Sequence, residues 1–487
     1  MKPVADSNTL DLSREQMVEM THAVVERLTD HIDNIRSGRM PPSYIYDSLD
    51  VSKHTDGLSA SAKLRCREPP QGPAKLESLL AELFDEVLQN GTIHTHGGYL
   101  AHVPSAGLFA SALGEFVSRA LNRFVGVWAA APGLVEIECN IVRWFCSIVE
   151  FPPTAFGYLT TSGSLANWMG LICARESLRE APLDKCMVYA SAQAHFSIEK
   201  AARLIGLSAE QICSCEVGPD YRVDTQRLFA RIDHDRRNGR FPLCVVAMAG
   251  TTNTGAVDDL EVIAQECRAR GIWLHIDACF GGFFTLVPRN KAALSGLKYA
   301  DSIALDAHKS LFLPHGNSAL LVRDRKALRR AFNTPIASYM PGLHDCEEFI
   351  DFCNYGPELS RDTRALSVWF PLKLYGLATF AQALEELLNW GEDLERRLRC
   401  LPNIDLIRKH PMHIPVITFR ARDDARGVRT RLLCEQICKL GNVYVTTTEL
   451  PEVGVVIRAC PLSFRTTIAV ADALLQDISL CMATSHV

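Results

Sequence analysis

The sequence lacks both a strong excess of one charge and any long apolar run. Its 56 acidic and 51 basic residues give a formal net charge of −5, which is too small to attract nucleic acid or an anionic membrane surface by itself. Residues 1–16 hold no apolar stretch typical of a signal peptide, and no run approaches the length of a membrane span. We therefore predict a cytoplasmic protein that binds a small molecule and neither nucleic acid nor a membrane.

The 17 cysteines lack the spacing of a zinc site or of a disulfide framework. Cys213 with Cys215, and Cys434 with Cys438, are close pairs, but neither has a second pair at finger or ribbon spacing. We predict no metal site, and mostly buried thiols in a reducing compartment. Internal repeats and low-complexity tracts are also missing, and 487 residues can bury a large core in two or three structural units.

The N-terminal part of the chain has helical periodicity. Residues 13–36 predict an amphipathic helix in which Ser13 and Gln16 form a capping box. A segment rich in proline and glycine, residues 53–73, predicts a loop, and residues 76–89 predict a second helix. We assign residues 1–95 to an N-terminal helical segment.

The middle of the chain alternates between helical periodicity and short apolar runs. This alternation predicts parallel crossovers and a sheet covered on both faces, within a domain of residues 96–375. The expected helices are 107–121, 134–149, 165–179, 197–205, 225–236 and 260–270. The expected strands are 187–190, 243–249, 273–276, 302–305 and 319–322.

The last part of the chain predicts a small α+β domain, residues 376–487, behind a long helix. That helix is expected at 364–389. The remaining strands are expected at 415–419, 443–447 and 455–459, and the remaining helices at 428–440 and 469–482.

Two of the predicted strands lead to residues whose types suit a carbonyl cofactor. The run 272–276 is followed by Asp277, and the run 302–305 leads to Lys309. Ligands of parallel sheets bind at the carboxyl ends of strands. A lysine can form a Schiff base with an aldehyde, while a carboxylate keeps a ring nitrogen protonated. The pair predicts pyridoxal 5'-phosphate as the cofactor.

The segment TTSGSL places Ser162, Gly163 and Ser164 directly before a predicted helix. Backbone amides at a helix N-terminus, together with hydroxyl donors, form an anion site that would fit the cofactor's phosphate. An ordinary serine-capped helix is the alternative interpretation.

The motifs HIDACFGG and DAHKSL, around Asp277 and Lys309, resemble the signature of the pyridoxal-phosphate-dependent amino-acid decarboxylases of the aromatic amino acid and glutamate decarboxylase group. SAQAHFSIEKA, AGTTNTGAVDDL and YGPELSRDTRALSVWF are similar to further segments of that family. The resemblance implies a fold-type I α/β architecture with a mainly parallel seven-stranded sheet, an N-terminal helical segment and a small C-terminal α+β domain. It also implies a homodimer with the active site at the subunit interface.

By this resemblance, Lys309 carries the Schiff base, Asp277 bonds the ring nitrogen and His195 stacks on the ring. Tyr339 corresponds to a loop phenol that protonates the α-carbon, and a loop tyrosine without a catalytic role is the alternative. Further residues are expected at the cofactor: Ser162, Gly163, Ser164, Thr252, Cys279, His308 and Ser360.

The segment HGGYLAHVPSAG resembles the family's substrate segment, which implies that His102, Pro104 and Ser105 contact the substrate. The implied reaction is decarboxylation of an L-amino acid to its amine. An aromatic substrate is favoured, but His102 replaces a tyrosine of the animal aromatic decarboxylases and leaves aliphatic or polar substrates open. One alternative is an aldehyde synthase, in which the carbanion reacts with oxygen instead of a proton. Another is a homologue that has lost its activity and serves as a binding or structural protein. Tyr339 argues against the aldehyde synthase, and the presence of Lys309, Asp277 and His195 argues against a homologue without activity.

Overall fold

The computed structural model describes residues 10–44, 69–89, 91–333 and 348–484. The chain forms two compact units. One comprises Met1–Ala101, Ala421–Ile457 and Arg465–Val487, and the other comprises His102–Arg420 and Arg458–Phe464. The division into residues 1–95, 96–375 and 376–487 stays a prediction. Among the helices of the described residues, none has the length and apolar character needed to cross a bilayer.

Helices and strands are numbered in chain order within the described residues. The α-helices are α1 Arg14–Arg36, α2 Leu76–Ala81, α3 Phe109–Leu121, α4 Pro132–Ile148, α5 Gly163–Ser177, α6 Ser197–Leu204, α7 Thr225–Arg237, α8 Leu260–Arg270, α9 Lys291–Leu294, α10 Ala307–Ser310, α11 Arg325–Phe332, α12 Ala365–Leu398, α13 Val428–Leu440 and α14 Ile468–Thr484. The strands are β1 Phe156–Thr160, β2 Cys186–Ser191, β3 Ile212–Cys215, β4 Phe241–Met248, β5 Trp273–Asp277, β6 Ser302–Asp306, β7 Ser318–Val322, β8 Ile404–Leu406, β9 Ile417–Ala421, β10 Thr446–Leu450 and β11 Gly454–Ala459.

The larger unit is built on a seven-stranded sheet with the order β1-β7-β6-β5-β4-β2-β3. The neighbouring pairs from β6 through to β3 are parallel. Only β7 opposes this direction, since it pairs antiparallel with both β1 and β6. The predicted seven-stranded, mainly parallel sheet is therefore confirmed.

Two strands of this sheet, β1 and β3, were not predicted from the sequence, and neither was the short strand β8 outside it. β1 follows Pro152 and Pro153 and contains Gly157, residue types that indicate a loop. Gly157 is needed because a Cβ there would lie 2.4 Å from the Leu320 carbonyl oxygen on β7. β3 is a short, partly exposed strand at the end of the sheet order, so it has no continuous apolar run.

The helices largely follow their sequence signals. Ser13 and Gln16 form the predicted capping box at the start of α1. The second predicted helix is split, because α2 continues into a π-helical segment, Glu82–Val87. α12 continues beyond its predicted end to Leu398 and contains Gly376, whose backbone is non-helical.

The core beside the carboxyl ends of the parallel strands lies between the sheet and helices α5 and α6. Leu171 of α5 and Ile198 of α6 pack with Val188 and Val246 of the central strands, and all four are buried. Their burial anchors the two helices whose first turns face the site described next.

Candidate active site

The carboxyl ends of β4, β5 and β6 lead into a cavity of about 170 Å³. Asp277 ends β5 and Asp306 ends β6, and these strands are parallel neighbours. Lys309 follows in the short helix α10. The cavity is lined by Ser162, Gly163, Ser164, Asn167, His195, Ser197, Met248, Gly250, Thr252, Asp277, Cys279, Phe280, Asp306, His308 and Lys309.

Most of the predicted cofactor residues therefore share one cavity: Ser162, Gly163, Ser164, His195, Thr252, Asp277, Cys279, His308 and Lys309. Ser360 is exposed and is not part of this wall. Tyr339 lies outside the described residues. The individual roles assigned to these residues stay predictions.

The three predicted substrate residues are not in the cavity wall either. Pro104 and Ser105 are buried, and the Ser105 hydroxyl donates to the Leu313 carbonyl oxygen at 2.7 Å. His102 is exposed and has a left-handed backbone, with φ of 51°.

Lys309 is held by the carboxylate of Asp306. Its Nζ lies 2.8 Å from Asp306 Oδ2, and Ser318 donates to the other Asp306 oxygen at 2.6 Å. Burial opposes the charge of Lys309, but the attraction of Asp306, joined by that of Asp277, raises the pKa of the lysine above its ordinary value. Burial likewise opposes the charge of Asp306, and Lys309 outweighs it to lower the pKa of that carboxyl. Without a cofactor the pair is therefore ionic.

Asp277 receives a hydrogen bond on each carboxylate oxygen. The backbone N–H of Cys279 donates to Oδ1 at 3.1 Å, and Asn167 Nδ2 donates to Oδ2 at 3.0 Å. These two donors fix the plane of the side chain. Burial raises the pKa of the neighbouring Cys279 thiol well above its ordinary value, so this residue acts as neutral packing.

His195 is oriented from its Nδ1 side. Ser197 Oγ lies 2.7 Å from His195 Nδ1, and the Ser197 backbone N–H also points at that atom at 3.2 Å. Burial lowers the pKa of His195, although Asp277 raises it in part. The ring is therefore neutral at pH 7 and turns its Nε2 side away from these contacts.

The first turn of α5 forms a close-fitting part of the cavity. Ser162 caps the helix by accepting from the Leu165 N–H at 3.2 Å. A Cβ on Gly163 would lie 2.4 Å from Cys279 Sγ and 2.7 Å from Asp306 Oδ1, so only glycine fits this position. The other N–H groups of the first turn lack intrahelical partners and can bind an anion.

Sequence reasoning missed several residues that the fold brings to the site, namely Asn167, Ser197 and Arg458. Asn167 lies two residues after the TTSGSL segment and Ser197 lies within SAQAHFSIEKA, and their polar side chains at the starts of two packed helices were the available signal. Arg458 is buried, and its Nε donates to the Thr252 carbonyl oxygen at 2.7 Å. Its Nη1 donates to the His102 carbonyl oxygen, whereas its buried Nη2 has no hydrogen-bond partner among the described residues.

Comparison with known proteins adds to this geometry. The family model described as the pyridoxal-dependent decarboxylase conserved domain matches residues 61–422. The chain belongs to this family. It is a carbon–carbon lyase that decarboxylates an amino acid with pyridoxal 5'-phosphate as cofactor.

Individual relatives cover nearly the whole decarboxylase. An aromatic-L-amino-acid decarboxylase of Bacillus atrophaeus is 32% identical over 469 residues, covering 95% of this chain and 94% of the relative. A phenylacetaldehyde synthase of Petunia hybrida is 26% identical over 90% of this chain and 88% of its own. The crystal structure of Oryza sativa TDC with PLP and tryptamine shares the fold, with a TM-score of 0.89 at 24% identity, covering 98% of this chain and 99% of that one.

The cavity of the decarboxylase fits this cofactor chemically. The glycine-lined first turn of α5 suits a phosphate, and Asp277 supplies an anion for a basic ring nitrogen. Lys309 supplies a primary amine for an aldehyde.

Proposed function

We propose that this enzyme decarboxylates an aromatic L-amino acid to its amine. The observation that carries the proposal is the cavity in which Lys309, Asp277 and His195 face one another beside a helix N-terminus. The aromatic substrate class is supported by the relative from Bacillus atrophaeus, which is 32% identical over almost the entire chain.

In the proposed mechanism, bound pyridoxal phosphate supplies an electron-accepting ring that stabilises the electron pair left when carbon dioxide departs. Asp277 holds the proton on the ring nitrogen, and Ser162, Gly163 and Ser164 bind the phosphate. Lys309 provides the amine that anchors the cofactor and must lose a proton before it reacts. His195 covers the ring face, and Tyr339 delivers a proton to the α-carbon of the product. Further parts of the cavity wall are formed by Thr252, Cys279 and His308.

We assign Arg458 to the substrate's carboxylate. Its guanidinium is fixed by the backbone oxygens of Thr252 and His102, which leaves Nη2 as a donor with no partner among the described residues. A buried guanidinium with a vacant donor suits a carboxylate ligand. His102, Pro104 and Ser105 then define the end of the substrate site.

The direct test is release of carbon dioxide from each of the twenty common amino acids by purified holoenzyme. We expect tyrosine, tryptophan or phenylalanine to give the highest kcat/KM together with a stoichiometric amine. Highest turnover of an aliphatic or acidic amino acid would overturn the substrate class. Hydrogen peroxide and aldehyde in place of amine would instead identify an aldehyde synthase.

The proposed active unit is a homodimer in which Ser360 reaches the site of the other subunit. α3 and α12 pack against each other, with Ser111 Oγ donating to the Ser367 carbonyl oxygen, yet they leave large apolar side chains exposed. Phe116 is 54% exposed and Leu374 is 64% exposed. A second copy of the chain would bury this surface.

Mixed dimers test the shared site. Lys309→Ala and Ser360→Trp are each expected to be inactive alone. After unfolding and refolding together, about a quarter of wild-type activity is expected, because half of the dimers are mixed and each has one intact site. No recovery, although light scattering shows dimers, would exclude a contribution of Ser360 across the interface.

We also propose that the enzyme works in the cytoplasm. The cysteines recorded in the described residues are free thiols, most of them buried, which suits a reducing compartment. Fractionation of the source cells with an antibody would test the location.

A further inference from the structure

A chain of hydrogen-bonded side chains runs through the interior of the larger unit and ends on Asp277. Trp273 Nε1 donates to Ser302 Oγ at 2.9 Å, and Ser302 Oγ lies 2.8 Å from His275 Nδ1. His275 Nε2 lies 2.9 Å from Asn167 Oδ1, and Asn167 Nδ2 donates to Asp277 Oδ2 at 3.0 Å. The chain therefore links β5, β6 and α5 behind the catalytic cavity.

The donor at each contact is fixed by the chemistry of the groups. Asp277 only accepts, so Asn167 must turn its NH₂ group toward it and its carbonyl oxygen toward His275. His275 must then carry its proton on Nε2, which leaves Nδ1 to accept from the Ser302 hydroxyl. Burial lowers the pKa of His275 to about 4, which keeps the imidazole neutral in the physiological range. Every donor points toward the catalytic carboxylate.

Asn167 is also the point at which the chain branches. Its Nδ2 lies 3.0 Å from Ser197 Oγ as well as from Asp277 Oδ2, and an NH₂ group has two hydrogens. Because Ser197 accepts from Asn167, its own hydroxyl hydrogen goes to His195 Nδ1. His195 therefore carries its proton on Nε2, on the side away from Ser197.

We propose that Asn167 is a positioning residue that orients Asp277 and His195 together, and that His275 and Ser302 hold its amide in the required orientation. The proposal rests on the roles given above to Asp277 and His195. One buried amide thereby couples the carboxylate under the ring nitrogen to the imidazole on the ring face.

The surroundings favour a rigid network. Asn167 is 1% exposed, and His275 and Ser302 are 0% exposed, so water cannot replace a missing partner. α5 approaches so closely that a Cβ on Gly170 would lie 2.6 Å from His275 Cε1. In such a dry site, loss of one member leaves another polar group unpaired.

The first experiment compares Asn167→Leu with Asn290→Leu. Asn290 is a matched control, since it is buried, lies outside the cavity wall and is paired with His413 at 3.1 Å. Apo-protein is titrated with pyridoxal 5'-phosphate and binding is followed by absorbance. Loss of a hydrogen bond to the charged Asp277 should weaken binding about tenfold in Asn167→Leu, whereas Asn290→Leu should bind as wild type. Equal affinities in all three proteins would refute the proposal.

The second experiment compares two replacements of His275. His275→Gln retains an amide donor in place of Nε2–H, whereas His275→Leu retains none. We expect the glutamine variant to bind the cofactor within about threefold of wild type and the leucine variant to bind about tenfold more weakly. If both variants lose affinity equally, His275 acts by packing alone and does not hold the amide.

The third experiment isolates the branch to His195 with Ser197→Ala. Cofactor affinity should fall less than in Asn167→Leu, because the contact of Asn167 with Asp277 remains, and the acidic limb of the kcat/KM profile should move, because Nδ1 loses its hydroxyl donor. The pKa of His195 also depends on the charges of Asp277 and Asp306, at the ends of β5 and β6, and of Lys309 in α10. These three groups are intact in Ser197→Ala. An unchanged acidic limb in Ser197→Ala would show that Ser197 does not act on His195.

If the wild-type enzyme decarboxylates no aromatic amino acid, the proposed substrate fails, but the cofactor titrations still decide the role of Asn167.

Discussion

Two buried ion pairs of the larger unit have similar electrostatics and opposite chemistry. In the cavity, Lys309 faces Asp306, and its side chain is 21% exposed. In the core, Arg361 donates through both terminal nitrogens to Glu138, with side-chain exposures of 0% and 1%. The guanidinium lies 4.3 Å from the Tyr158 ring centroid and donates to the Leu159 carbonyl oxygen at 3.0 Å.

The difference lies in the cation. A guanidinium cannot lose its proton in a protein, and its planar fork matches a carboxylate, so the pair of Glu138 and Arg361 can only hold structure. A lysine amine can be deprotonated and then becomes a nucleophile. Burial with a carboxylate does not by itself mark a catalytic site, because the type of cation and its access to a cavity decide the role.

The largest predicted effect comes from removing the primary amine of Lys309, the reactive group that the pair of Glu138 and Arg361 lacks. Lys309→Arg keeps the charge beside Asp306 but removes the primary amine. We expect kcat to fall at least about a thousandfold, with loss of the visible absorbance of the bound cofactor. The midpoint of thermal unfolding of the apo-protein should stay within a few degrees of wild type. Retained turnover would show that the lysine does not carry the chemistry.

The converse change should affect stability. Arg361→Met leaves the buried Glu138 carboxylate unpaired and is expected to destabilise the fold by about 3–5 kcal/mol. The double variant Glu138→Leu with Arg361→Met removes both charges and should recover a large part of that loss. Thermal unfolding of the apo-proteins measures both effects. If the double variant is no more stable than the single one, packing on Tyr158 and Phe352 rather than charge dominates.

A smaller effect is expected from removing the counter-ion of the lysine. Asp306→Asn should lower the pKa of Lys309, because the attraction of the carboxylate outweighs burial in the wild-type protein. More of the amine is then neutral at a given pH. The rate of cofactor uptake by apo-protein at pH 7 should rise about tenfold for each unit by which this pKa falls. An identical pH profile in wild type and variant would contradict the proposed pairing.

Acidification should affect the hydrogen-bonded network around His275 and the pair of Glu138 and Arg361 differently. The folded-state pKa of His275 is lowered to about 4 by burial, below its ordinary value of 6.5. The unfolded chain therefore binds a proton first, and stability is lost as pH falls from about 6.5 toward 4, by at most about 3 kcal/mol. His275→Gln should flatten this part of the pH dependence of the unfolding midpoint. The offset of the double variant Glu138→Leu with Arg361→Met should not change between pH 7 and 5, since that variant has no titratable group left at the pair.

The sequence was sufficient to locate the catalytic edge of the sheet. Asp277 and Lys309 each follow a short apolar run, and this local pattern predicts both near the ends of parallel strands, where the structure has them. The helix N-terminus at Ser162 was predictable for the same reason, because capping depends on neighbouring residues.

Interactions between distant residues were not predictable in this way. The contact of Asn167 with Asp277 joins a helix to a strand that is remote in sequence, and it depends on how closely α5 packs on the sheet. Arg458 was likewise hidden, since an arginine near the end of a predicted strand is ordinarily a solvated residue. Strand β1 was missed because its prolines and glycine suit a loop, although its partner β7 was found.

The antiparallel strand β7 has a consequence for biosynthesis. Within the part of the chain that the structure describes, β7 is the sole sheet neighbour of β1, so residues 156–160 join this sheet only after residues 318–322 have left the ribosome. The helix that follows β1 presents Ser162 and Gly163 to the cofactor, and a pairing of such long sequence separation forms slowly. Nascent chains that end before β7 should therefore be unable to bind pyridoxal 5'-phosphate, and the cofactor enters only after this sequence-distant strand has been translated.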